Sequence, residues 1–353
     1  MERKPIVGIT MGDPAGNGPE ITVKALLHED VYTWCRPVVI GDGRIMEEAV
    51  KVAGHPEVRI HRITDLSEAR FEYGEIDVYH MDLIKLEQFH YGTVSPMCGK
   101  AAFECIKKVI ELAMTGKVDA TCTNALNKEA MNLGIASEGL HFDGHTEIYA
   151  AYTNTEKYTM MLAYHDLRVV HVSTHCSLRE ACDRVKKARV LDVIRIADRA
   201  CKMLGIEKPR VAVAGLNPHA GENGLFGREE ADEIYPAVEA AKLEGILAEG
   251  PLPSDSLFSK ALGGWYDIVV AMYHDQGHIP LKTVGFVYDR AASSWKAVEG
   301  VNVTLGLPII RTSVDHGTGF DQAGKGTSNE LSLLNALEYA ALMADTKMRQ
   351  GAE

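Results

Sequence analysis

The sequence has 353 residues, of which 46% are hydrophobic and 24% charged, and its formal net charge is −12. This length suits two domains, and the composition is that of a soluble globular protein. The acidic balance argues against a general nucleic-acid surface and favours a cytoplasmic protein. No apolar run in the sequence approaches the roughly 20 residues of a membrane span, and the charged start, Met1 to Pro5, predicts no signal peptide.

The seven cysteines indicate reduced thiols. Their odd number and the lack of any Cys-x-x-Cys pair in the sequence predict neither a disulfide framework nor a thiolate zinc site. Unpaired cysteines of this kind are typical of proteins of the cytosol.

Short β-branched runs alternate with longer amphipathic stretches along the chain. The predicted strands are Ile6–Thr10, Pro37–Gly41, Ile76–His80, Ala120–Thr123, Tyr158–Ala163, Arg168–Ser173, Arg210–Ala214, Asp267–Met272 and Ile309–Thr312. The predicted helices are Gly18–Leu27, Ile45–Ala53, Ser95–Thr115, Leu178–Leu204, Glu229–Glu244 and Ser328–Met348. This alternation predicts a largely parallel sheet covered by helices on both faces, with ligands beyond the carboxyl ends of its strands.

Three short segments each place a histidine among small and polar residues. They are Ser173-Thr174-His175, Asn217–Glu222 around His219, and Tyr273–Gly277 around His274. Each lies where a strand is predicted to end, with a carboxylate or a loop backbone nearby to orient the ring. Three imidazoles at strand ends suit a catalytic divalent metal with an open coordination position. The alternatives are anion binding by protonated imidazoles and three unrelated turn residues.

Two segments lead into helices, where an anion is favoured. Thr10–Glu20 has glycines that permit close backbone approach, but it is neither a Walker loop nor a Gly-x-Gly-x-x-Gly fingerprint. Asp143–Glu147 offers His145 and Thr146 as hydrogen-bond donors to a phosphate or carboxylate. The alternatives are a turn capped by Asp13 and a capping box.

The C-terminal third adds polar groups to apolar surroundings. Arg311 ends an apolar run, so its charge needs either an anionic substrate or a structural ion pair. Val314–Asn329 is rich in small and hydrogen-bonding residues and precedes the last helix, so it is able to wrap a nucleotide. Tyr288–Gly300 is polar and poorly periodic, which is typical of an insertion.

These segments resemble those of the 4-hydroxythreonine-4-phosphate dehydrogenase family nearly end to end. The matching strings are Gly12–Gly16 with Gly18–Glu20, Gly144–Glu147, Gly215–Glu222, Gly250–Pro253 with Asp255, Met272–Gly277, Gly300–Pro308 and Arg311–Thr318. The resemblance implies two α/β/α domains with a central cleft, similar to isocitrate and isopropylmalate dehydrogenases. We place the nucleotide-side domain at 1–135 plus 308–353 and the metal-binding and dimerisation domain at 136–307.

The resemblance implies NAD-dependent oxidation of a 4-phosphorylated 3-hydroxy acid, followed by decarboxylation, in a homodimer with shared active sites. It implies a divalent metal on His175, His219 and His274; zinc, cobalt, manganese, nickel or magnesium are all open. The implied substrate-binding residues are His145, Thr146, Lys282, Asn302 and Arg311.

The resemblance further places the cofactor at the first and last motifs. The implied cofactor-binding residues are Gly12, Asp13, Asp315, His316, Gly317, Thr318, Asp321 and Asn329. A general base is also needed, and the sequence leaves Asp255, Asp275 and Lys282 as unranked candidates. Neither a nucleic acid nor a membrane is expected as a partner.

Some segments are more similar to a catabolic branch of the family, which acts on 4-phospho-D-threonate or 4-phospho-D-erythronate. These segments are the Val287–Val298 insertion, Asp143, Ile148–Tyr152, Tyr158–Leu162 and Ser177–Cys182. We therefore expect one of these acids as substrate and dihydroxyacetone phosphate as product. The alternatives are 4-phosphohydroxy-L-threonine, an aromatic cis-dihydrodiol carboxylate, and a binding protein without catalysis.

Overall fold

The computed structural model describes residues 3–290 and 294–350. The chain divides into two compact units, Met1–Glu156 with Leu307–Glu353 (unit 1) and Lys157–Gly306 (unit 2). The boundaries between the two units are therefore 156/157 and 306/307, whereas the domain boundaries predicted from the sequence fall at 135/136 and 307/308. None of the helices in the described residues is long and apolar enough to cross a membrane.

Strands and helices alternate in both units. In chain order the strands are β1 Ile6–Thr10, β2 Arg36–Gly41, β3 Arg59–Ile63, β4 Glu75–His80, β5 Ala120–Thr123, β6 Thr159–Tyr164, β7 Leu167–His171, β8 Arg210–Ala214, β9 Leu247–Leu252, β10 Ile268–Ala271, β11 Phe286–Asp289, β12 Ser294–Val298, β13 Val301–Leu305 and β14 Ile310–Val314. The helices are α1 Gly18–Ala25, α2 Glu29–Trp34, α3 Gly43–Val52, α4 Pro96–Met114, α5 Lys128–Ile135, α6 His145–Tyr152, α7 Leu178–Arg184, α8 Lys187–Met203, α9 Tyr235–Leu243, α10 Ser254–Leu262, α11 His274–Gly285 and α12 Leu331–Gln350.

Unit 1 contains a parallel array of strands in the order β3-β4-β2-β1-β5-β14. Helix α4 begins where the sequence predicts it, because Ser95 accepts a hydrogen bond from the Cys98 N–H at 3.4 Å and Pro96 occupies the first turn. It ends just before Gly116, which adopts a positive φ of 70°. α4 and α12 pack on this array and bury its apolar residues.

Unit 2 contains a mixed array in the order β13-β6-β7-β10-β8-β9. β13–β6 and β6–β7 are antiparallel, whereas β7, β10, β8 and β9 run parallel to one another. A core between these strands and α10 and α11 includes Leu162, Val169, Val269, Leu257 and Leu281. The predicted α/β class is confirmed.

Several elements differ from the sequence predictions. The short elements β3, β9, α2, α5 and α10 lie outside the predicted ranges. The single helix predicted over Leu178–Leu204 is in fact α7 and α8, because Val185 leaves helical geometry (ψ 88°) and is completely buried. Helix α11 was not predicted, since Gly277 and Pro280 disfavour a helix interior. The predicted insertion Val287–Val298 forms much of the antiparallel pair β11–β12, and its residues 291–293 lie outside the described residues.

Candidate active site

The three histidines predicted to bind a metal follow three neighbouring parallel strands of unit 2. His175 follows β7, His274 follows β10 and His219 follows β8, and β10 pairs with both of the others. Parallel strands present their carboxyl ends at one edge, where ligands of α/β proteins gather. The fold therefore brings the three segments to the same edge of unit 2.

Two of these histidines share one cavity. It has a volume of about 320 Å³ and is lined by Thr174, His175, Cys176, Leu178, Ala181, Tyr273, His274 and Asp275. The ring centroids of His175 and His274 are 5.9 Å apart. The Nδ1 of His274 lies 2.7 Å from Asp275 Oδ1. Because a carboxylate only accepts, Nδ1 carries the proton and Nε2 keeps a lone pair for a metal.

His219 lies on a strained turn instead. It has φ 52°, in the left-handed region, and so do Ala220, Glu222 and Asn223. Its side chain is 65% exposed, and its Nδ1 lies 3.5 Å from a carboxylate oxygen of Glu222. Within residues 3–290 and 294–350 of one chain, no three His, Cys, Asp or Glu side chains are grouped to hold a metal ion. The structure thus joins His175 with His274 but does not add His219 to them.

Two further imidazoles, which the sequence did not predict, extend this group. The ring of His278 stacks on that of His274 at 3.6 Å, and His171 lies 4.8 Å from His278. Burial lowers the pKa of His171 to about 3 and that of His278 to about 4, so both rings are neutral at neutral pH. The spacing of His274 and His278 would have indicated a shared helix face, had Gly277 and Pro280 not argued against the helix.

Glycine 277 permits the close packing of these rings. A Cβ at this position would lie 2.3 Å from His171 Nε2 and 2.7 Å from Val169. Helix α11 can therefore approach β7 this closely only because Gly277 has no side chain. The residue that weakens the helix prediction is the one that positions the helix.

Other candidate residues of unit 2 lie on three elements. Asp255 is in the first turn of α10, and Lys282 is in the last turn of α11 with its ammonium 4.9 Å from the centre of the Phe286 ring. Asn302, on β13, donates to the sulfur of Met160 at 2.9 Å, and its Oδ1 is buried without a partner among the described residues. Asn302 Oδ1 is thus free to accept a hydrogen bond from a ligand.

A second polar group forms within unit 1 around Arg311. This residue, on β14, is 3% exposed, donates to Thr123 Oγ1 at 2.8 Å and lies over the ring of Tyr149 at 5.6 Å. Burial lowers the pKa of its guanidinium. A buried cation in this position favours an anionic ligand.

His145 and Thr146 begin helix α6 in the same unit. Its N-cap is Gly144, and no side chain caps its first turn, so the predicted capping box does not form among the described residues. Burial, reinforced by the charge of Arg311, holds the pKa of His145 well below its usual range. His145 Nε2 is buried and has no partner in the described part of the chain. A neutral imidazole, free N–H groups and a buried guanidinium are a suitable set for a phosphate or carboxylate.

The residues predicted to bind the cofactor also lie in unit 1, on two segments. Gly12 has φ 76°, and a Cβ there would meet Ala125 O at 2.8 Å. Asp13 is 1% exposed, accepts from the Ala15 N–H at 2.9 Å, and has an Oδ2 without a partner among the described residues. The two segments touch where the Asn17 N–H donates to Thr318 O at 2.8 Å.

The second segment, residues 314–329, is called the nucleotide loop below. His316 donates from Nδ1 to Gly317 O at 2.8 Å, and burial lowers its pKa. The backbone N–H of Asp315 donates to the Ser332 hydroxyl at 3.0 Å. The side chain of Asp321 accepts from the Gln322 side chain at 3.0 Å, and that of Asn329 accepts from the Leu331 N–H at 2.8 Å. Asn17 Oδ1, His316 Nε2 and Ser328 Oγ are buried without partners within the described residues, so this region fits a polar ligand such as a dinucleotide.

The imidazole pair at strand ends of unit 2 and the buried cation beside an uncapped helix in unit 1 are the kinds of groups expected in an α/β enzyme. Comparison with known proteins agrees with this class. The family model described as pyridoxal phosphate biosynthetic protein PdxA matches residues 33–340. The chain belongs to the PdxA family, which confirms the resemblance found in the sequence.

Similar proteins cover nearly the whole chain. The D-threonate 4-phosphate dehydrogenase of Cupriavidus necator is 47% identical over 341 residues, 96% of this chain and 97% of that protein. A protein of Oceanobacillus iheyensis, given the same name provisionally, is 48% identical over 348 residues, 98% of this chain and all of that protein (100%). A crystal structure titled 4-hydroxythreonine-4-phosphate dehydrogenase, from Burkholderia phymatum, has a TM-score of 0.83 at 46% identity and covers 97% of this chain and 99% of that one.

Proposed function

We propose that this protein oxidises 4-phospho-D-threonate or 4-phospho-D-erythronate with NAD and a divalent metal, and that loss of carbon dioxide then gives dihydroxyacetone phosphate. The observation that carries the proposal is the identity of 47% over nearly the full length with a D-threonate 4-phosphate dehydrogenase. The imidazole pair of unit 2 and the anion-binding group of unit 1 supply the chemistry that such a substrate requires.

His175 and His274 are the residues that hold the metal, with His219 as the third ligand. Their nitrogen donors suit zinc, cobalt, nickel or manganese, and Asp275 fixes the ring of His274. When bound, the metal polarises the substrate hydroxyl and then the carbonyl that replaces it. The described residues of one chain do not group His219 with the other two. The proposed homodimer, in which a partner subunit contributes to the site, comes from the sequence resemblance.

The substrate anions are bound by Arg311, His145 and the first turn of α6. Arg311 supplies a buried positive charge and His145 is neutral, so its ring makes a hydrogen bond without adding charge. Thr146 adds a hydroxyl donor within unit 1. Within unit 2, Lys282 and Asn302 are the proposed substrate-binding residues. These groups would orient the substrate, and NAD, when bound, would supply the hydride acceptor.

The proton of the alcohol needs an acceptor. Asp255, Asp275 and Lys282 remain the candidates, and Asp275 already accepts a hydrogen bond from His274 at 2.7 Å. An Asp275 that orients the ring is less available as a base, which favours Asp255 or Lys282 for proton removal. After oxidation, the ketone lies β to the carboxylate, so the carbon–carbon bond breaks with its electrons drawn into the carbonyl.

The experiment is a side-by-side assay of three phosphorylated acids: D-threonate 4-phosphate, D-erythronate 4-phosphate and 4-phosphohydroxy-L-threonine. NADH formation and carbon dioxide release are measured with added Co²⁺ or Zn²⁺. We expect kcat/KM to be highest for one of the two hydroxy acids. A clear preference for the amino acid would instead support the second candidate, 4-hydroxythreonine-4-phosphate dehydrogenase, which the Burkholderia phymatum structure favours.

Two variants separate the site from the rest of the chain. His175→Ala removes one of the paired imidazoles and should abolish both activity and Co²⁺ binding. His141→Ala is the matched control, because this imidazole is 74% exposed in unit 1. Equal activity of the two variants would contradict the proposed metal site. Dependence of activity on the substrate phosphate excludes the aromatic dihydrodiol carboxylate as the substrate.

A further inference from the structure

A nearly buried ion pair on α1 has no part in the chemistry described above. Lys24 Nζ lies 2.8 Å from Glu20 Oε1, and the two side chains are 17% and 3% exposed. They are four residues apart on one helix face. A pair so little exposed must satisfy its remaining hydrogen-bonding groups within the protein, because leaving them unpaired is costly.

Those remaining groups bind the backbone of the nucleotide loop. Lys24 donates to Gly326 O at 3.0 Å and to Ser328 O at 2.7 Å. Glu20 accepts from the Ser328 N–H at 2.8 Å and from the Gly326 N–H at 3.2 Å. The three N–H donors of the ammonium therefore have three acceptors, and both carboxylate oxygens are used. Glu20 thus binds the backbone N–H groups of Gly326 and Ser328, and Lys24 binds the backbone carbonyl groups of the same two residues.

The path of the loop at this point is narrowly defined. Gly326 has φ 72°, and a Cβ there would lie 2.6 Å from Val52 O. Ser328, beside it, has a buried hydroxyl oxygen without a partner in the described part of the chain. Asn17, which directly precedes α1, has such an atom as well. The ion pair thus fixes the backbone of Ser328, whose buried hydroxyl has no partner among the described residues. The pair lies on α1, which begins beside Asn17, the residue that carries the second such atom.

We propose that Glu20 and Lys24 are positioning residues for the adenosine side of a bound dinucleotide. They act through the backbone of Gly326 and Ser328. This inference rests on the proposed function, with NAD as the cofactor, and on the sequence resemblance, which implies cofactor-binding residues in the first motif and in the nucleotide loop. It adds that the affinity for the nucleotide depends on an ion pair that contacts only protein.

The test is NADH binding measured by fluorescence titration of the purified enzyme. Lys24→Met removes all three donors, and Glu20→Gln keeps the shape of the side chain but replaces an acceptor by a donor. We expect each to bind NADH at least about tenfold more weakly, which corresponds to the loss of roughly one hydrogen bond. The affinity for ADP-ribose, which lacks nicotinamide, should fall in parallel, whereas Co²⁺ affinity and the KM of the phosphorylated acid should stay unchanged. Lys24→Arg, which keeps several donors, should recover part of the loss.

Lys202→Met is the matched control. Lys202 makes an ion pair of the same spacing with Asp198 at 2.8 Å, but on α8 of unit 2. It should bind NADH like the unaltered enzyme. Circular dichroism melting shows that each variant is folded at the assay temperature, and the isosteric Glu20→Gln serves if Lys24→Met does not fold.

The outcomes are distinguishable. If both folded variants bind NADH and ADP-ribose within twofold of the unaltered enzyme, the positioning role of Glu20 and Lys24 is overturned. The proposed function is not affected by that outcome. An equal loss of Co²⁺ affinity would show a general structural defect and would also overturn the positioning role. Failure of the unaltered enzyme to bind NADH overturns the proposed cofactor and, with it, this inference.

Discussion

Several of the predicted site residues carry a buried polar atom that has no hydrogen-bond partner among the described residues. Asp13 is an example: its carboxyl is 1% exposed, and burial raises its pKa to about 6 although the Ala15 N–H opposes this shift. Asp13 therefore changes between its charged and neutral forms near pH 6 rather than near pH 3.8. A carboxyl poised in this way can respond to a ligand that offers it a donor or a charge.

Asp13→Asn should alter the pH dependence of stability. The pKa of Asp13 is raised from 3.8 to about 6 on folding, so the folded state holds its proton more tightly. This group therefore favours folding below pH 3.8, and that contribution is lost as the pH rises through about 6. The free energy of unfolding of the Asn variant, relative to the unaltered protein, should increase between about pH 4 and 7 by up to about 3 kcal/mol.

Urea unfolding followed by circular dichroism at several pH values measures this difference. The comparison removes the contributions of all other titrating groups, since both proteins share them. A difference that is constant from about pH 4 to 7 would show that Asp13 titrates alike in the folded and unfolded states. A difference that decreases over this range would reverse the sign of the effect.

At the scale of single elements, the turn that carries His219 depends on its neighbours for its shape. Four non-glycine residues here have left-handed backbone angles, each of which costs roughly 1 kcal/mol. Glu230, which is 5% exposed, accepts from the N–H groups of Leu216 and Asn217 at 2.7 and 2.6 Å and from the Asn217 side chain at 2.9 Å. Hydrogen bonds to this carboxylate offset the strain that positions His219.

Glu230→Gln should therefore loosen the turn. The N–H groups of Leu216 and Asn217 share one carboxylate oxygen, and the Asn217 side chain donates to the other. The amide has one accepting oxygen and no charge, so it cannot serve both sets of donors and binds those it keeps more weakly. Amide hydrogen exchange at Leu216 and Asn217 should accelerate about tenfold or more, since a bond to a charged group contributes roughly 1.5–3 kcal/mol. Co²⁺ affinity should fall as well if His219 is a metal ligand.

Glu229→Gln is the control for this experiment. Glu229 accepts from the same Asn217 side chain at 2.7 Å but is only partly buried and does not bind the Leu216 backbone. It should leave exchange at Leu216 unchanged. Exchange in Glu230→Gln that equals that of the unaltered protein would mean that the turn is held by other contacts.

At the scale of the whole molecule, local sequence patterns predicted the strands and their carboxyl ends well. The β-branched runs that end before His175, His219 and His274 form β7, β8 and β10, because short, continuous apolar runs and the chain breaks that follow them are local properties of the sequence. The imidazoles of His171 and His278 were not predicted, because their contact depends on a glycine that only the packed structure explains. The roles of Glu20 and Lys24 were also hidden, because each bonds to a residue about 300 positions away.

The described site residues also divide between the two units in a way that can be tested. The nucleotide loop and Gly12–Asp13 belong to unit 1, whereas His175, His219 and His274 belong to unit 2. Metal removal should therefore abolish oxidation while the NADH affinity, measured by fluorescence titration after dialysis against a chelator, stays within about twofold. Binding restored by Zn²⁺ or Co²⁺ but lost without them would mean that the metal orders the nucleotide site. His175→Ala should behave like the metal-free enzyme, without oxidation but with unchanged NADH affinity. Lys24→Met should bind the metal normally and NADH more weakly, because each substitution affects the unit that contains it.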